Sequence, residues 1–180
     1  AKWIEKCLTS LFDSSIKTEI IVIDNQSTDD TVSIIETRFS EVRLIRNSEN
    51  KGFGKANNQG ILLAYNENAD FVFLLNQDAW VEHRTIEVLA EKMSTNPEYG
   101  ILSPLQFFDN NNLDKKFKSY IKSSAVSNYA TLSASEKEQI FDVRFVNAAV
   151  WLVSRECIAK TGLFAPVFSH YGEDLNYAHR

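Results

Sequence analysis

At 180 residues the chain is long enough for one α/β domain with a substantial core and too short for two comfortable ones. Its net charge of −5 leaves no basic excess to neutralise phosphates, which argues against a nucleic-acid binder. No run of about 18 apolar residues could span a bilayer, and two cysteines, Cys7 and Cys157, offer neither a disulfide framework nor a metal-ligand spacing.

Both cysteines lie in apolar, helix-like stretches and are expected as small buried hydrophobes, which suits a reducing compartment. No signal peptide opens the chain. It begins inside a helical pattern and ends on Tyr177-Ala178-His179-Arg180 without a helix stop, so a piece of a longer protein, cut at both ends, is expected.

Trp3, Ile4, Cys7, Leu8, Leu11 and Phe12 recur at helical spacing and predict an amphipathic helix over 2–12. The apolar run Glu19 to Asp24 predicts a strand buried on both faces. A helix with Val32, Ile35 and Phe39 on one side follows, and Val42 to Arg46 predicts the next strand. Gly52 and Gly54 punctuate a loop before a helix over about 55–66. Phe71 to Leu75 predicts a third buried strand, 83–95 a helix, and Tyr99 to Leu102 a short strand. Residues 109–142 are rich in Asn, Ser and Lys, with weak periodicity; they predict a variable excursion with a short helix near 134–140. Strand texture returns over Val143 to Val153, then a short helix from Ser154 to Thr161 stopped by Gly162, and a last helix opened by Glu173. This βαβ order predicts one domain over 1–180, a mostly parallel sheet with helices on both faces, and ligands beyond the carboxyl ends of its strands.

Four constellations carry chemistry. In Asp24-Asn25-Gln26-Ser27-Thr28-Asp29, helix capping accounts for Ser27, Thr28 or Asp29 but does not need Asp24, whose carboxylate at a strand end suits the base or ribose of a nucleotide. In Asn47-x4-Gly52-Phe53-Gly54-x3-Asn58 the glycines permit close backbone approach to a ligand; a plain turn and helix start serves as well, since no Walker or dinucleotide pattern completes it. Asn76-Gln77-Asp78 ends a strand with a carboxylate able to hold Mg²⁺ or Mn²⁺ against substrate phosphates, although an exposed turn aspartate is the commoner explanation for a lone case. In His170-Tyr171-Gly172-Glu173-Asp174, paired carboxylates at a helix start serve the helix dipole, or supply a general base and its neighbour.

The stretches IIVIDNQSTDDT (20–31), RNSENKGFGKANNQGI (46–61), FVFLLNQDAWV (71–81), FVNAAVWLVSRECIAKTGLFAP (145–166) and YGEDLNYAHR (171–180), in this order and spacing, resemble glycosyltransferase family 2 of the GT-A fold. The resemblance covers nearly everything except 109–142. It looks closest to the branch that adds rhamnose and similar sugars to bacterial surface polysaccharides. It implies a Rossmann-like α/β fold and an inverting, divalent-cation-dependent transferase, which takes sugar from a nucleoside-diphosphate sugar donor to a saccharide or lipid-linked saccharide acceptor. Asp24 then resembles the nucleotide-contacting aspartate, with Asn25, Ser27 and Asp29 in the same stretch. Asn47, Gly52, Gly54 and Asn58 fall where the family's loop and helix approach the nucleotide. Asp78 resembles the last aspartate of the metal-binding DxD motif, with Asn76 in place of the first and Gln77 between, so that metal affinity leans on the diphosphate. Asp174 matches the catalytic base and Glu173 its neighbour.

Two departures accompany the match. The apolar strand that normally precedes the first helix and lies centrally in the sheet is not in this chain, nor are the helices beyond the Glu-Asp helix. The piece by itself therefore need not be active. The resemblance implies a cytoplasmic location at the inner face of the plasma membrane, with peripheral attachment and no nucleic-acid partner. A non-catalytic nucleotide-sugar-binding domain and a nucleotidyltransferase are the rival readings.

Overall fold

A computed structural model of the chain describes residues 1–109, 112–123, 140–168 and 171–180. The elements in chain order are α1 Ile4–Phe12, β1 Ile21–Asp24, α2 Thr31–Arg38, β2 Arg43–Arg46, α3 Phe53–Asn66, β3 Phe71–Leu75, α4 Thr85–Thr95, β4 Ile101–Leu102, α5 Lys115–Ser123, β5 Val150–Ser154, α6 Arg155–Thr161 and α7 Glu173–Ala178. No helix among the described residues is long and apolar enough to cross a membrane.

The strands form two sheets. β1 and β2 pair in parallel, Ile21 with Arg43 through Asp24 with Arg46, as the intervening α2 crossover requires. β3, β5 and β4 form the second sheet in that order, with β5 antiparallel to both neighbours. β3 and β4 thus run the same way, and β5 alone is reversed among the described strands of its sheet. The α/β class stands; the expectation of a mostly parallel sheet does not extend to β5. The physical reason is where the chain re-enters: Leu75, the last residue of β3, pairs with Val150, the first of β5. A strand that starts at its neighbour's end can only run back along it. Every residue of β5 is buried, as expected of a central strand. The strand texture expected from Val143 becomes strand only at Val150. β1 and β3 are each paired on one side only among the described residues, and both pack against α3.

Two apolar clusters follow from the elements. Ile4 and Leu8 of α1 meet Ile35 of α2 and Val42 at the entry to β2. The helical spacing of Ile4, Cys7 and Leu8 places all three on the buried side of α1. The larger cluster joins Ile61 of α3, Leu74 of β3, Trp151 and Val153 of β5, Ile158 of α6, Phe164 and Tyr177. Gly162 ends α6 as expected, donating its N–H to the Ile158 carbonyl at 2.8 Å.

The excursion over 109–142 holds a helix that weak periodicity hid. Asp114 Oδ1 accepts the backbone N–H groups of Lys116 and Phe117, each at 2.9 Å, and so caps the start of α5. Phe117 and Ile121, one turn apart, are 3% and 2% exposed and belong to the larger cluster. Lysines on the remaining sides supply the composition that read as loop. The helix expected near 134–140 lies outside the described residues, which resume at 140. Replacing Phe117 by Ala should cost about 3–5 kcal/mol in urea unfolding, the range for emptying a buried aromatic site; a solvated excursion would lose less than about 0.5 kcal/mol.

Candidate active site

The carboxyl ends of β1 and β2 form one polar rim with the start of α3. Asp24 ends β1 with 6% of its surface exposed, and both carboxylate oxygens face the Ser27 N–H, at 3.2 and 3.4 Å. A carboxylate has about four acceptor positions, so Asp24 can take further donors. Its backbone carbonyl accepts the Asn47 N–H at 2.9 Å, which ties the two strand ends together. Asn25 organises what lies beyond. Its Oδ1 accepts Lys51 N–H at 2.9 Å and Asn47 Nδ2 at 3.2 Å, while its Nδ2 donates to Asn50 Oδ1 at 2.8 Å. Asn47, 8% exposed, also donates Nδ2 to Gln59 Oε1 of α3 at 2.8 Å. Gln26, at φ +70°, donates Nε2 to the Ser48 carbonyl at 3.0 Å. Asn50 and Gln59 were not among the expected site residues; only their position inside an amide-rich stretch could have marked them.

Asp29 serves the start of α2. Its Oδ1 accepts Thr31 N–H at 3.0 Å and Thr31 Oγ1 at 2.6 Å, and its Oδ2 pairs with the amino group of Ala1. Ser27 contributes its backbone N–H to Asp24.

The two glycines of the 46–61 stretch do different work. Gly52 precedes α3 at φ +80°, a left-handed backbone that a side chain would strain. It donates its N–H to Asn50 Oδ1 at 2.9 Å. Gly54 is buried inside α3, where an added Cβ would stand 3.3 Å from Phe164 Cβ and 3.7 Å from Glu173 Cβ. Its missing side chain thus lets α3 and α7 meet, rather than opening a way for a ligand. Asn58, one turn further on, is likewise turned inward: Nδ2 donates to the Phe164 carbonyl and Oδ1 accepts the Phe164 N–H, both at 2.9 Å. Its amide is used by the protein.

At the end of β3, the Asn76 N–H donates to the Ala149 carbonyl at 2.9 Å, and the Asn76 carbonyl accepts Ala79 N–H at 3.0 Å. Gln77 and Asp78 stand exposed on the resulting turn. No described residue hydrogen-bonds or ion-pairs with the Asp78 carboxylate. The thiol of Cys7, on α1, lies close by: its Sγ is 3.8 Å from the Asn76 carbonyl. Burial, and secondarily the charge of Asp78, pushes this thiol from 9.0 up to about 11.

α7 opens on Glu173 and Asp174. Asp174 Oδ2 accepts the Ala148 N–H at 3.3 Å and Oδ1 accepts its neighbour Leu175 N–H at 2.8 Å. Glu173 is 5% exposed, and its Oε2 has no hydrogen-bond partner among the described residues. His170 lies outside the described residues.

These contacts run in series through the fold. Asn25 reaches the 50–52 loop, α3 begins there, and Gly54 of α3 meets Glu173. Asp174 binds Ala148, whose neighbour Ala149 holds Asn76, two residues before Asp78. The start of α3, the start of α7 and the turn after β3 are thus linked through neighbouring contacts. An open depression over the outer side of α4, lined by Ile16, Glu87, Ala90 and Thr95, lies elsewhere and gathers none of these groups.

The α/β fold, with these polar groups at its strand ends, is of the GT-A type. The sequence profile described as glycosyl transferase family 2 matches residues 1–157, and the chain belongs to that family. No protein of curated function matches it in sequence. Among solved structures it is similar to S. aureus TarS 1-349 in complex with UDP-GlcNAc, with a TM-score of 0.67 and 17% identity over 98% of this chain and 48% of that one. It is also similar to the mannosyltransferase PcManGT from Pyrobaculum calidifontis in complex with GDP-Man and Mn²⁺, with a TM-score of 0.64 and 20% identity over 98% and 47%. GalNAc-T7 with UDP, GalNAc and Mn²⁺ gives a TM-score of 0.65 and 13% identity over 98% and 37%. The chain spans half or less of the length of these structures, and at such identities the likeness is one of fold.

The Cys7–Asp78 proximity is testable with a thiol reagent. A thiol at about 11 is on the order of 1% thiolate or less at pH 8.5, against about a quarter for one at 9. Cys7 should accordingly alkylate at least about tenfold more slowly than a free thiol with iodoacetamide at that pH. Asp78→Asn should speed the reaction by removing one of the two causes; an unchanged rate would place Asp78 away from Cys7. Since folding raises this pKa, the protonated thiol's contribution to stability is intact below about pH 9 and is lost as the pH rises towards 11.

Proposed function

We propose that this chain is the donor-binding and catalytic core of an inverting, metal-dependent glycosyltransferase of bacterial surface polysaccharide or glycan synthesis. The series of contacts from the 50–52 loop beside the Asp24 strand end, through Gly54 to Glu173-Asp174 and on to Asn76, supports this reading, because sugar transfer needs a nucleotide site, a leaving-group site and a base around one anomeric carbon. The donor is a nucleoside-diphosphate sugar, in line with the UDP, UDP-GlcNAc and GDP-Man named for structures of the same fold. The transferred group is a hexose or deoxyhexose, following the resemblance to rhamnose-adding members. The acceptor is a saccharide or lipid-linked saccharide, reached in the cytoplasm at the inner face of the plasma membrane.

In this reading Asp24 takes hydrogen bonds from the base or ribose with the acceptor positions that Ser27 leaves open. The amide network from Asn25 through Asn47 to Gln59 holds the loop on which the nucleotide rests. No group of three or more His, Cys, Asp or Glu side chains among the described residues could hold a metal by itself. Asp78 nevertheless fits a hard divalent cation, since Mg²⁺ commonly takes one or two carboxylates and completes its shell with substrate phosphates and water. Held by Asp78, such a cation would supply charge neutralisation at the leaving diphosphate, a reading that Mn²⁺ in the structures of similar fold supports.

Asp174 acts as the general base. The Ala148 and Leu175 N–H groups fix its carboxylate, and it takes the proton of the acceptor hydroxyl as that oxygen attacks the anomeric carbon. The bond to the diphosphate breaks on the opposite face, the transition state has oxocarbenium character, and the configuration inverts.

In the full-length protein, Asp174→Asn should lower sugar transfer by about 10²- to 10⁴-fold, the usual worth of a general base, with UDP or GDP affinity by calorimetry unchanged. Transfer at the normal rate would remove Asp174 from the mechanism. Asp78→Ala should weaken nucleotide binding in Mn²⁺ by about tenfold or more and leave metal-free binding as it was; an identical response to Mn²⁺ in both proteins would take Asp78 out of the metal site.

A further inference from the structure

We infer that Asn58 is a positioning residue for the catalytic end of α7, acting through the backbone of Phe164, and does not contact the nucleotide. The inference rests on the reading of Asp174 as base. Asn58 sits on α3 one turn after Gly54, and both of its amide groups are bound to Phe164: Nδ2 to the carbonyl and Oδ1 to the N–H, at 2.9 Å each. The two partners are 106 residues apart in the chain. A side-chain amide bonded at both ends to one residue's backbone mimics a pair of strands, and it fixes that residue in both position and orientation.

Phe164 is a junction. It is 1% exposed, stacks on Trp151 of β5 at 6.3 Å, and meets Tyr177 of α7 at 4.9 Å and Phe53 of α3 at 5.9 Å between ring centroids. The segment around it is bound from α7 as well. Tyr177 Oη donates to the Gly162 carbonyl at 3.1 Å, and Arg180 donates to the carbonyls of Thr161 and Leu163 at 3.2 and 2.7 Å. Asn58 therefore grips from α3 the same strap that Tyr177 of α7 and Arg180, just beyond its end, grip from the other side. Between the two grips Gly54 lies against Phe164 Cβ and Glu173 Cβ, with no room for a methyl group to spare. Release of the Asn58 grip loosens Phe164, then the ring packing of Tyr177, then the helix turn that carries Glu173 and Asp174. A base displaced by about 1 Å loses on the order of 100-fold in rate.

The test compares Asn58→Asp, which keeps the acceptor for the Phe164 N–H but loses the donor, with Asn58→Ala, which loses both, in the full-length protein. Amide hydrogen exchange followed by mass spectrometry reads the clamp directly and needs no activity. Peptides covering 162–168 and 171–180 should exchange about tenfold faster in Asn58→Ala, with peptides over β1 and β2 unchanged. Affinity for UDP with Mn²⁺, by calorimetry, should stay within about twofold of wild type in both variants. Release of UDP from UDP-GlcNAc, or of GDP from GDP-Man if that is the donor turned over, should show kcat lowered about 10- to 100-fold by Asn58→Ala and less by Asn58→Asp, at unchanged donor KM. Unchanged exchange over 162–180 in Asn58→Ala overturns the inference. So does a loss of nucleotide affinity in Asn58→Asp with exchange unaltered, which would make Asn58 a nucleotide contact. Should the wild type bind neither nucleotide, the proposed function fails, while the exchange result still decides whether Asn58 holds α7.

Discussion

Leu75 pairs with Val150 at the point where β3 ends and β5 begins, and the geometry of the site depends on that register. It sets Ala149 opposite Asn76 and leaves the next N–H, that of Ala148, free for Asp174. The turn that presents Asp78 and the helix that presents Asp174 are thereby referred to one pair of strands. A slip of one residue would turn every side chain of β5 to the other face of the sheet. All five residues of β5 are buried, so such a slip would bury the wrong groups on both faces, and the register is strongly held.

The polar half of the site obeys a different constraint. Asp24, Asn47 and Glu173 are each more than nine-tenths buried, and a buried polar group without partners is costly. Asp24 meets that demand through the Ser27 N–H, and Asn47 through the amide network in which Asn25 and Asn47 bond Asn50 and Gln59. Glu173 meets it only in part, with Oε2 unpartnered among the described residues.

Packing and chemistry are continuous at α3. The same helix abuts β1 and β3, carries Gln59 towards the amide network, and sends Asn58 and Gly54 towards Phe164 and Glu173. A glycine and two amides in one helical stretch look alike in a sequence. In the fold Gln59 faces the rim, while Asn58 and Gly54 face the core beside α7. The reading of Asn58 as a nucleotide contact and its role as a clamp differ only in which way one side of a helix turns.

Much of this fold was legible in the chain. Continuous apolar runs located β1 to β3, and helical stripes α1 to α4, to within a few residues, because burial leaves its mark on the residues it covers. The polar residues at Asp24 and Asn76 to Asp78, and the carboxylate pair at Glu173 and Asp174, were placed by the sequence at strand ends and a helix start, where the structure has them. Tertiary structure decided the rest. α5 escaped because Phe117 and Ile121 are too few to set a period among lysines, and their burial is known only once the cluster around Trp151 exists. The reversal of β5 depends on where the 103–149 segment re-enters, which no local pattern encodes. The bond between Asn58 and Phe164 spans 106 residues, and a sequence carries no signal for a partner that distant until folding brings the two backbones together.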